Sequence, residues 1–410
     1  TGLVRDEHGR KMSKSKGNIL DPIDLIDGIE LEELITKRTA DMMQPQLKQQ
    51  IEDNTRKSFP EGIKGYGTDA LRFTFYSLAS TGRDIKFDLG RTEGFRNFCN
   101  KIWNAARYIL MNTEKEEIVH KPNPDDFSVA DRWILSRFEQ ATKSVTSALE
   151  DYRFDLASQT LHEFIWTEYC DWYVELSKPI LWDKEASPEK AEATRYVLLA
   201  TLEKTLRLLH PFMPFITEEV WQKVAPLLGN TSTSIMLESY PRFEGAAIDI
   251  VAEEHIDWLK GIIIAIRNIR GEMDISPAKN ISVMLRNGEQ DDMDRLGSYR
   301  PYLQKLAKLE KIEWLEKGDE GPAAATQLYK NLEILVPLAG LIDVEAEQIR
   351  LAKEISKFKS RLDSASHKLN NANFIRNAPA SVIAKEKDKQ KEMNMALSSL
   401  ESQLVQLDEL

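Results

Sequence analysis

Cysteine is scarce in this chain: Cys99 and Cys170 are the only two among 410 residues. Two thiols form one disulfide at most, so neither a disulfide framework nor a four-thiolate zinc module can be built from them. Long apolar runs are missing as well. The longest, Ile262–Ile266 and Leu332–Ile342, fall short of the roughly 18 residues that a membrane span requires, and Glu333 and Pro337 interrupt the second. No cationic-then-apolar leader opens the chain, so a reducing, cytoplasmic setting with no membrane association is expected. The first residue is Thr1 rather than Met, which leads to the expectation that this is a piece of a longer protein.

What is present is globular in character, with 42% hydrophobic and 30% charged residues and a length that allows about three domains. The net charge of −11 is unevenly spread. Residues 1–110 carry 18 basic and 16 acidic side chains (net +2), residues 111–342 carry 26 and 39 (net −13), and residues 343–410 carry 11 of each. Within the last stretch, residues 359–391 hold eight bases against three acids. Binding to nucleic acid follows local potential rather than the sum, so the acidic total excludes a general nucleic-acid sponge and leaves room for a specific contact.

Pattern and punctuation divide the chain. Residues 1–20 read as a basic loop, and Asp21-Pro22 as an N-cap with proline at the first helical position, opening a short helix that stops near Gly28. Charged helices are expected at 30–43 and 45–58, and another capped by Thr68 or Asp69. Five long amphipathic segments follow, Thr92–Met111, Val129–Tyr152, Leu156–Lys178, Pro188–His210 and Pro214–Leu227, which predicts an antiparallel helix bundle. After Asn230 a helix at 253–272, a helix at 291–308 and apolar stretches Ile281–Leu285, Lys311–Leu315 and Leu332–Pro337 imply a small α/β unit. Leu351, Ile355, Phe358, Leu362, Ala365, Leu369 and Ala372 alternate in steps of four and three, as do Met393, Leu397, Leu400, Leu404 and Leu407, which predicts an antiparallel coiled-coil hairpin. The fold class expected is mainly α, with boundaries at 1–90, 91–243, 244–342 and 343–410.

Lys11-Met12-Ser13-Lys14-Ser15 carries the chemistry. Two lysines three apart, flanked by hydroxyls and followed by Gly17, make a cationic loop suited to polyphosphate, since a lysine ammonium on a flexible stem can follow phosphate oxygens as charge shifts. A solvated Lys/Ser surface loop is the plain alternative, but five specified residues arise by chance in a chain this long about once in a thousand or less.

That pentapeptide with Gly17-Asn18 resembles the signature loop of class I aminoacyl-tRNA synthetases. The stretches 21–28, 44–47, Phe59-Pro60-Glu61-Gly62-Ile63, Tyr66-Gly67-Thr68-Asp69-Ala70-Leu71-Arg72, 82–88 and 95–104 resemble the valine branch, while His210-Pro211-Phe212-Met213-Pro214-Phe215-Ile216-Thr217-Glu218-Glu219 is shared with the isoleucine and leucine branches. The C-terminal hairpin, with Asn373-Phe374 and Ala378-Pro379, tilts the choice to valine. The resemblance spans essentially the whole chain. It implies the end of a Rossmann-type catalytic domain with a stem-contacting junction, an anticodon-binding bundle, a linker unit and a tRNA-binding arm. The reaction implied is activation of valine by ATP to valyl-adenylate, followed by transfer to tRNA(Val). Lys14 would stabilise the displacement with help from Lys11, and Lys11, Met12, Ser13, Lys14 and Ser15 would bind ATP. Mg²⁺ would accompany ATP, held by phosphates and water, with no protein-ligated metal in this segment. In the arm, Lys359, Arg361, Lys368, Arg376, Lys385, Lys387 and Lys389 are candidates for tRNA contact. A monomer is expected.

The resemblance also marks what is missing. None of the six histidines (His8, His120, His162, His210, His255, His367) forms the His-Ile-Gly-His-type element of the family's nucleotide-binding half, and no editing domain lies upstream of the loop. The chain alone is therefore expected not to form valyl-adenylate. Three alternatives remain: a non-catalytic tRNA-binding module, an isoleucine- or leucine-type synthetase piece, and a coiled-coil interaction protein with a coincidental signature. Phe164, Trp166, Tyr169, Trp172 and Tyr173 are expected to pack in the bundle rather than stack on bases, and Cys170 to be a small buried hydrophobe. Arg267 and Arg270 could contact tRNA phosphate or form a solvated, ion-paired face.

Overall fold

The computed structural model describes residues 2–338 except 7, 14–15, 41–44, 81, 114–120, 183–186, 317–318, 320–321 and 323, together with scattered positions between 352 and 397. Two compact units divide at Ile256/Asp257.

The first unit opens with β1 (Val4–Arg5) and α1 (Pro22–Asp27). Asp21 caps α1 by accepting the Ile23 N–H, and Gly28 at φ 90° ends it in a conformation that disfavours side chains. A two-residue strand, β2 (Gly28–Ile29), leads to α2 (Leu31–Thr39) and α3 (Lys48–Ser58), then β3 (Ile63–Lys64), α4 (Thr68–Leu78) and β4 (Ile85–Lys86). β1 pairs with β4 in parallel, and β2 with β3 antiparallel. Leu25, Leu34, Ile63, Leu71 and Phe87 form the apolar centre of this region, with Met12 and Leu20 packed on it. The first twenty residues are thus not a plain loop: they contribute a strand and a core side chain. The cap expected at Thr68 or Asp69 is instead backbone-only, with Gly67 at φ 83° and no side-chain bond.

Five helical stretches follow: α5 (Leu89–Thr113), α6 (Val129–Glu150), a run made of α7 (Phe154–Glu163), a π-helical segment Phe164–Tyr173 and α8 (Val174–Leu181), then α9 (Pro188–Leu209) and α10 (Pro214–Val224). α9 packs against α5, α6, α8 and α10. The wider π turn sets Phe164, Tyr169, Trp172 and Tyr173 into the interior, all under 9% exposed, while Trp166 at the edge stacks on His162. Core packing of the aromatic cluster holds for four of the five. Cys170 is buried and its thiol is pushed up to about 12 by desolvation.

A polar group sits at the bundle centre. Ser128 and Asp131 form a capping box at the start of α6, and the fully buried Asp131 also accepts from the Tyr173 hydroxyl (2.5 Å) and the Thr194 hydroxyl (2.9 Å). Four donated bonds offset the desolvation of this carboxylate, and the same burial raises its pKa.

α11 (Ile250–Glu272) runs across the division into the second unit, which adds β5 (Ile281–Arg286), α12 (Gln290–Ala307), β6 (Leu309–Trp314), β7 (Ala324–Tyr329) and β8 (Leu332–Pro337). The sheet order is β6-β5-β8-β7, with β5 and β6 parallel and β8 antiparallel to both its neighbours. The expected α/β character is present, with one strand more than the sequence pattern shows. β7 is an edge strand on which the small Ala325 is buried and Leu328 is exposed, so it carries no apolar alternation to read. Further on, Ser366 and Gln390 are both helical and joined by a 2.8 Å hydrogen bond between their side chains.

Arg270 takes neither of its expected roles. It is 6% exposed and donates to the carbonyls of Ser276 (2.9 Å), Ala307 (3.0 Å) and Lys308 (3.2 Å), satisfying the end of α12. The Ala307 carbonyl, in the last turn of α12, has no partner within its own helix, and the guanidinium serves as its cap, whereas those of Ser276 and Lys308 also accept the N–H groups of Lys279 and Ile281.

Candidate functional site

Lys11, the first residue of the pentapeptide, lies beside β1. Lys11 makes an isolated antiparallel bridge with Arg5, so the chain doubles back through a tight turn at 6–10. Asp6 organises that turn. Only 7% exposed, its carboxylate accepts from the backbone N–H of Arg10 (2.7 Å) and His8 (3.1 Å), from Arg10 Nε (3.0 Å) and from Asn18 Nδ2 (3.0 Å). Burial works to raise the Asp6 carboxyl, but the bonds from Asn18 and Arg10 together with the Arg10 charge outweigh it and hold it at about 2.

Asn18 carries the order from Asp6 to the pentapeptide. Its Oδ1 accepts the Ser13 N–H at 2.9 Å, and its Nδ2 also lies 3.3 Å from the Lys11 carbonyl. Gly17, at φ 59°, leaves the loop where a Cβ would stand 2.5 Å from Ile51 Cγ2 on α3, so only glycine suits both the backbone and the contact. Met12 is half-buried against the apolar centre. The Lys11 side chain is exposed and Ser13 half-buried, whereas Lys14 and Ser15 lie outside the described residues. The loop therefore presents an ammonium from a backbone fixed by a side-chain amide, a half-buried thioether and a glycine contact. Ammonium and hydroxyl groups are donors, which suits phosphate oxygens and does not suit a metal ion. Among the described residues no cluster of three His, Cys, Asp or Glu side chains is arranged for a metal.

Two other stretches singled out from the sequence meet each other. Asp69, on the first turn of α4 and 7% exposed, accepts from the N–H groups of Ile216 (2.7 Å) and Phe215 (3.3 Å) at the start of α10. Arg72, one turn along, donates to the carbonyls of Pro211 (3.0 Å) and Phe212 (3.2 Å). One helix thus neutralises both backbone polarities of the turn between α9 and α10. Burial raises the Asp69 carboxyl and is only partly countered by those N–H bonds, then by Arg72 and His210. Burial lowers His210, whose Nδ1 lies 2.7 Å from the Thr217 hydroxyl. Beside this junction is a cavity of about 860 Å³ reached by Trp103, Phe215, Glu218 and Glu219. Its carboxylates repel phosphate, so it is a poor seat for a nucleic-acid backbone.

Of the arm candidates, Lys359 is helical and exposed; Arg361, Lys368, Arg376, Lys385, Lys387 and Lys389 lie outside the described residues. The sequence gives no sign of the roles of Asp6 and Asn18. Asn18 was legible only as the neighbour of Gly17, and Asp6 stands in a stretch that reads as loop.

Comparison with known proteins agrees along the chain. Residues 1–88 match the family described as tRNA synthetases class I (I, L, M and V), residues 131–285 the anticodon-binding domain of tRNA ligase, and residues 343–408 the valyl tRNA synthetase tRNA binding arm. A valine–tRNA ligase of Coxiella burnetii (strain RSA 493 / Nine Mile phase I) is 50% identical over 409 residues, covering 100% of this chain and 44% of that protein. The chain thus spans less than half the length of the curated relative it matches. A crystal structure of the ternary complex of Agrobacterium radiobacter K84 agnB2 LeuRS-tRNA-LeuAMS aligns at 18% identity and a TM-score of 0.38, covering 78% of this chain and 32% of that one. With half of its residues shared with a valine–tRNA ligase along its full extent, and three family matches falling in the order loop, bundle, arm, the chain belongs to the class I aminoacyl-tRNA synthetase family, on its valyl branch.

Proposed function

We propose that this chain is the part of a valine–tRNA ligase that supplies the signature loop, the anticodon-binding bundle and the tRNA-binding arm. The observation that carries this reading is the coincidence of a 50%-identical valine–tRNA ligase with a signature loop whose backbone is held from its own side chains. In this reading residues 1–90 close a Rossmann-type catalytic domain and reach toward the tRNA stem, 91–243 bind the anticodon, 244–342 link, and 343–410 form a coiled-coil arm. Lys14 and Lys11 stabilise the triphosphate as the valine carboxylate displaces pyrophosphate, and Met12, Ser13 and Ser15 shape the loop. Charge placement does the work, and no side-chain nucleophile takes part. Mg²⁺ enters with ATP on its phosphate oxygens and water. The ligase acts in the cytoplasm as a monomer. Valine and ATP are bound only together with an N-terminal half that carries the opposite side of the nucleotide site.

Two measurements test this. The chain alone should show no ATP–pyrophosphate exchange above a Lys14→Ala control, and addition of the N-terminal half should restore exchange and aminoacylation of tRNA(Val). Exchange by the isolated chain refutes the division of labour. Equal affinity for tRNA(Val) and a mismatched tRNA, with no restoration, refutes the ligase reading itself.

A further inference from the structure

We propose that Asn18 is the positioning residue of the signature loop, its carboxamide, oriented by Asp6, fixing the backbone of Lys11–Ser13 in the course that presents the lysines to phosphate. The inference rests on the ligase reading above and adds to it a residue that touches no substrate.

The geometry is specific to a carboxamide. The oxygen of Asn18 takes the Ser13 N–H at 2.9 Å while its nitrogen gives to Asp6 Oδ2 at 3.0 Å, with the Lys11 carbonyl at 3.3 Å from the same nitrogen. One planar group therefore reads an acceptor, a donor and a second acceptor at once, and no other uncharged side chain of that length does so. Asp6 cannot turn away, because its carboxylate is also held by two backbone N–H groups and Arg10 Nε. Fixing the amide plane in turn fixes which way the peptide groups on either side of Met12 face. Met12 packs the same stretch against the apolar centre, so the Lys11 stem departs from a defined base. A cationic loop that must match a transition state gains from such an arrangement, since reorganisation avoided beforehand is not charged against the chemical step.

The test is made in the complete ligase, with ATP–pyrophosphate exchange measured per titrated active site. Asn18→Ala should lower kcat about tenfold to a hundredfold, roughly one decade per hydrogen bond lost, with KM for ATP and affinity for tRNA(Val) changed by less than about threefold. Asn18→Asp sets two carboxylates against each other and should fall at least as far. The exchanged pair Asp6→Asn/Asn18→Asp restores one donor and one acceptor between the positions and should recover most of kcat relative to Asn18→Asp. Unchanged kcat in Asn18→Ala overturns the proposal, as does an exchanged pair no better than Asn18→Asp. A loss of thermal stability that tracks the loss of kcat across the three variants also overturns it, because the role is then only structural. Lys14→Ala in parallel separates the two readings: if that variant too keeps full exchange, the ligase reading fails, whereas if it alone loses exchange, only the role of Asn18 does.

Discussion

Asp69 offers the sharpest quantitative test of how the loop region is joined to the bundle. α10 begins with Pro214, which has no N–H to satisfy, and its own N-cap residue, Met213, makes no side-chain cap. The first N–H groups needing a partner are those of Phe215 and Ile216, and Asp69 reaches across from α4 to take both. Replacing an N-cap acceptor by alanine costs about 1–2 kcal/mol, and a carboxylate at a helix N-terminus adds up to about 1 kcal/mol more. Against this stands the burial of a charge, which raises the carboxyl's pKa. Asp69→Ala should therefore destabilise the first unit by about 2 kcal/mol, or a Tm shift of about 4–8 °C for a unit of this size. Asp69→Asn fixes the sign of the pH dependence. A raised folded-state pKa means that the folded state binds the proton more tightly than the unfolded one, so the wild type should gain stability relative to Asp69→Asn as pH falls through the folded pKa toward the ordinary 3.8 and lose it as pH rises. Denaturant titrations of both proteins between about pH 7 and pH 4 measure this. A wild type that instead gains on the variant with rising pH would show that the N–H bonds outweigh burial at Asp69, and an alanine variant within about 0.5 kcal/mol of wild type would show that Asp69 is not the cap of α10.

Gly17→Ala combines a positive φ with a Cβ 2.5 Å from Ile51 Cγ2, so a loss of about 2–3 kcal/mol is expected by thermal melting, and a neutral variant would mean the loop can shift off α3. Arg270→Met removes the guanidinium from the buried Ala307 carbonyl and from those of Ser276 and Lys308, which keep the backbone N–H groups of Lys279 and Ile281; it should destabilise the second unit by about 1–3 kcal/mol while leaving the salt dependence of tRNA binding unchanged, and a reduced salt slope would return Arg270 to the phosphate-contacting role. Reversal of Lys385, Lys387 and Lys389 to Glu should weaken tRNA affinity and flatten its log–log salt slope by about 2–3, and an unchanged slope removes the arm from the interface.

How far the sequence can be read depends on whether a residue's role is local. Helices with local start signals were legible almost to the residue: Asp21-Pro22 before α1, Val129 at the start of α6 and Pro188 opening α9. The extra strand β7 was not, because its buried face is reduced to Ala325 while Leu328 is exposed, so no apolar period of two appears. Among site residues, the pentapeptide at 11–15 was legible because its chemistry is carried by residue type. Asp6 and Asn18 were not, because what links them is a bond between positions 12 apart whose geometry no pattern encodes. Arg270 misled for the complementary reason: a basic residue on a helix suggests a charged surface, and only the packed structure shows that it faces the carbonyls at the end of α12.

The same distinction explains why two motifs 140 residues apart belong to one device. Asp69 and Arg72 occupy adjacent turns of α4, three positions apart, so both side chains leave the same face. The turn between α9 and α10 shows them the carbonyls of Pro211 and Phe212 and then the N–H groups of Phe215 and Ile216 at the start of the next helix, separated by Met213 and by Pro214, which has no N–H to donate. An acid and a base in that order on one face match such a helix–turn–helix corner in that order only; exchanging Asp69 and Arg72 would set the guanidinium against N–H groups and the carboxylate against carbonyls. On the same helix Leu71 enters the apolar centre on which Met12 of the signature loop packs. A single eleven-residue helix therefore carries both the polar attachment to the bundle and an apolar attachment to the loop. The physical consequence is directional. Loss of Asp69 should loosen the bundle corner first, whereas loss of Leu71 to Ala should loosen the loop's seat first, so the two variants should differ in whether tRNA binding or pyrophosphate exchange suffers more. Parallel losses in both would mean that α4 moves as one rigid piece.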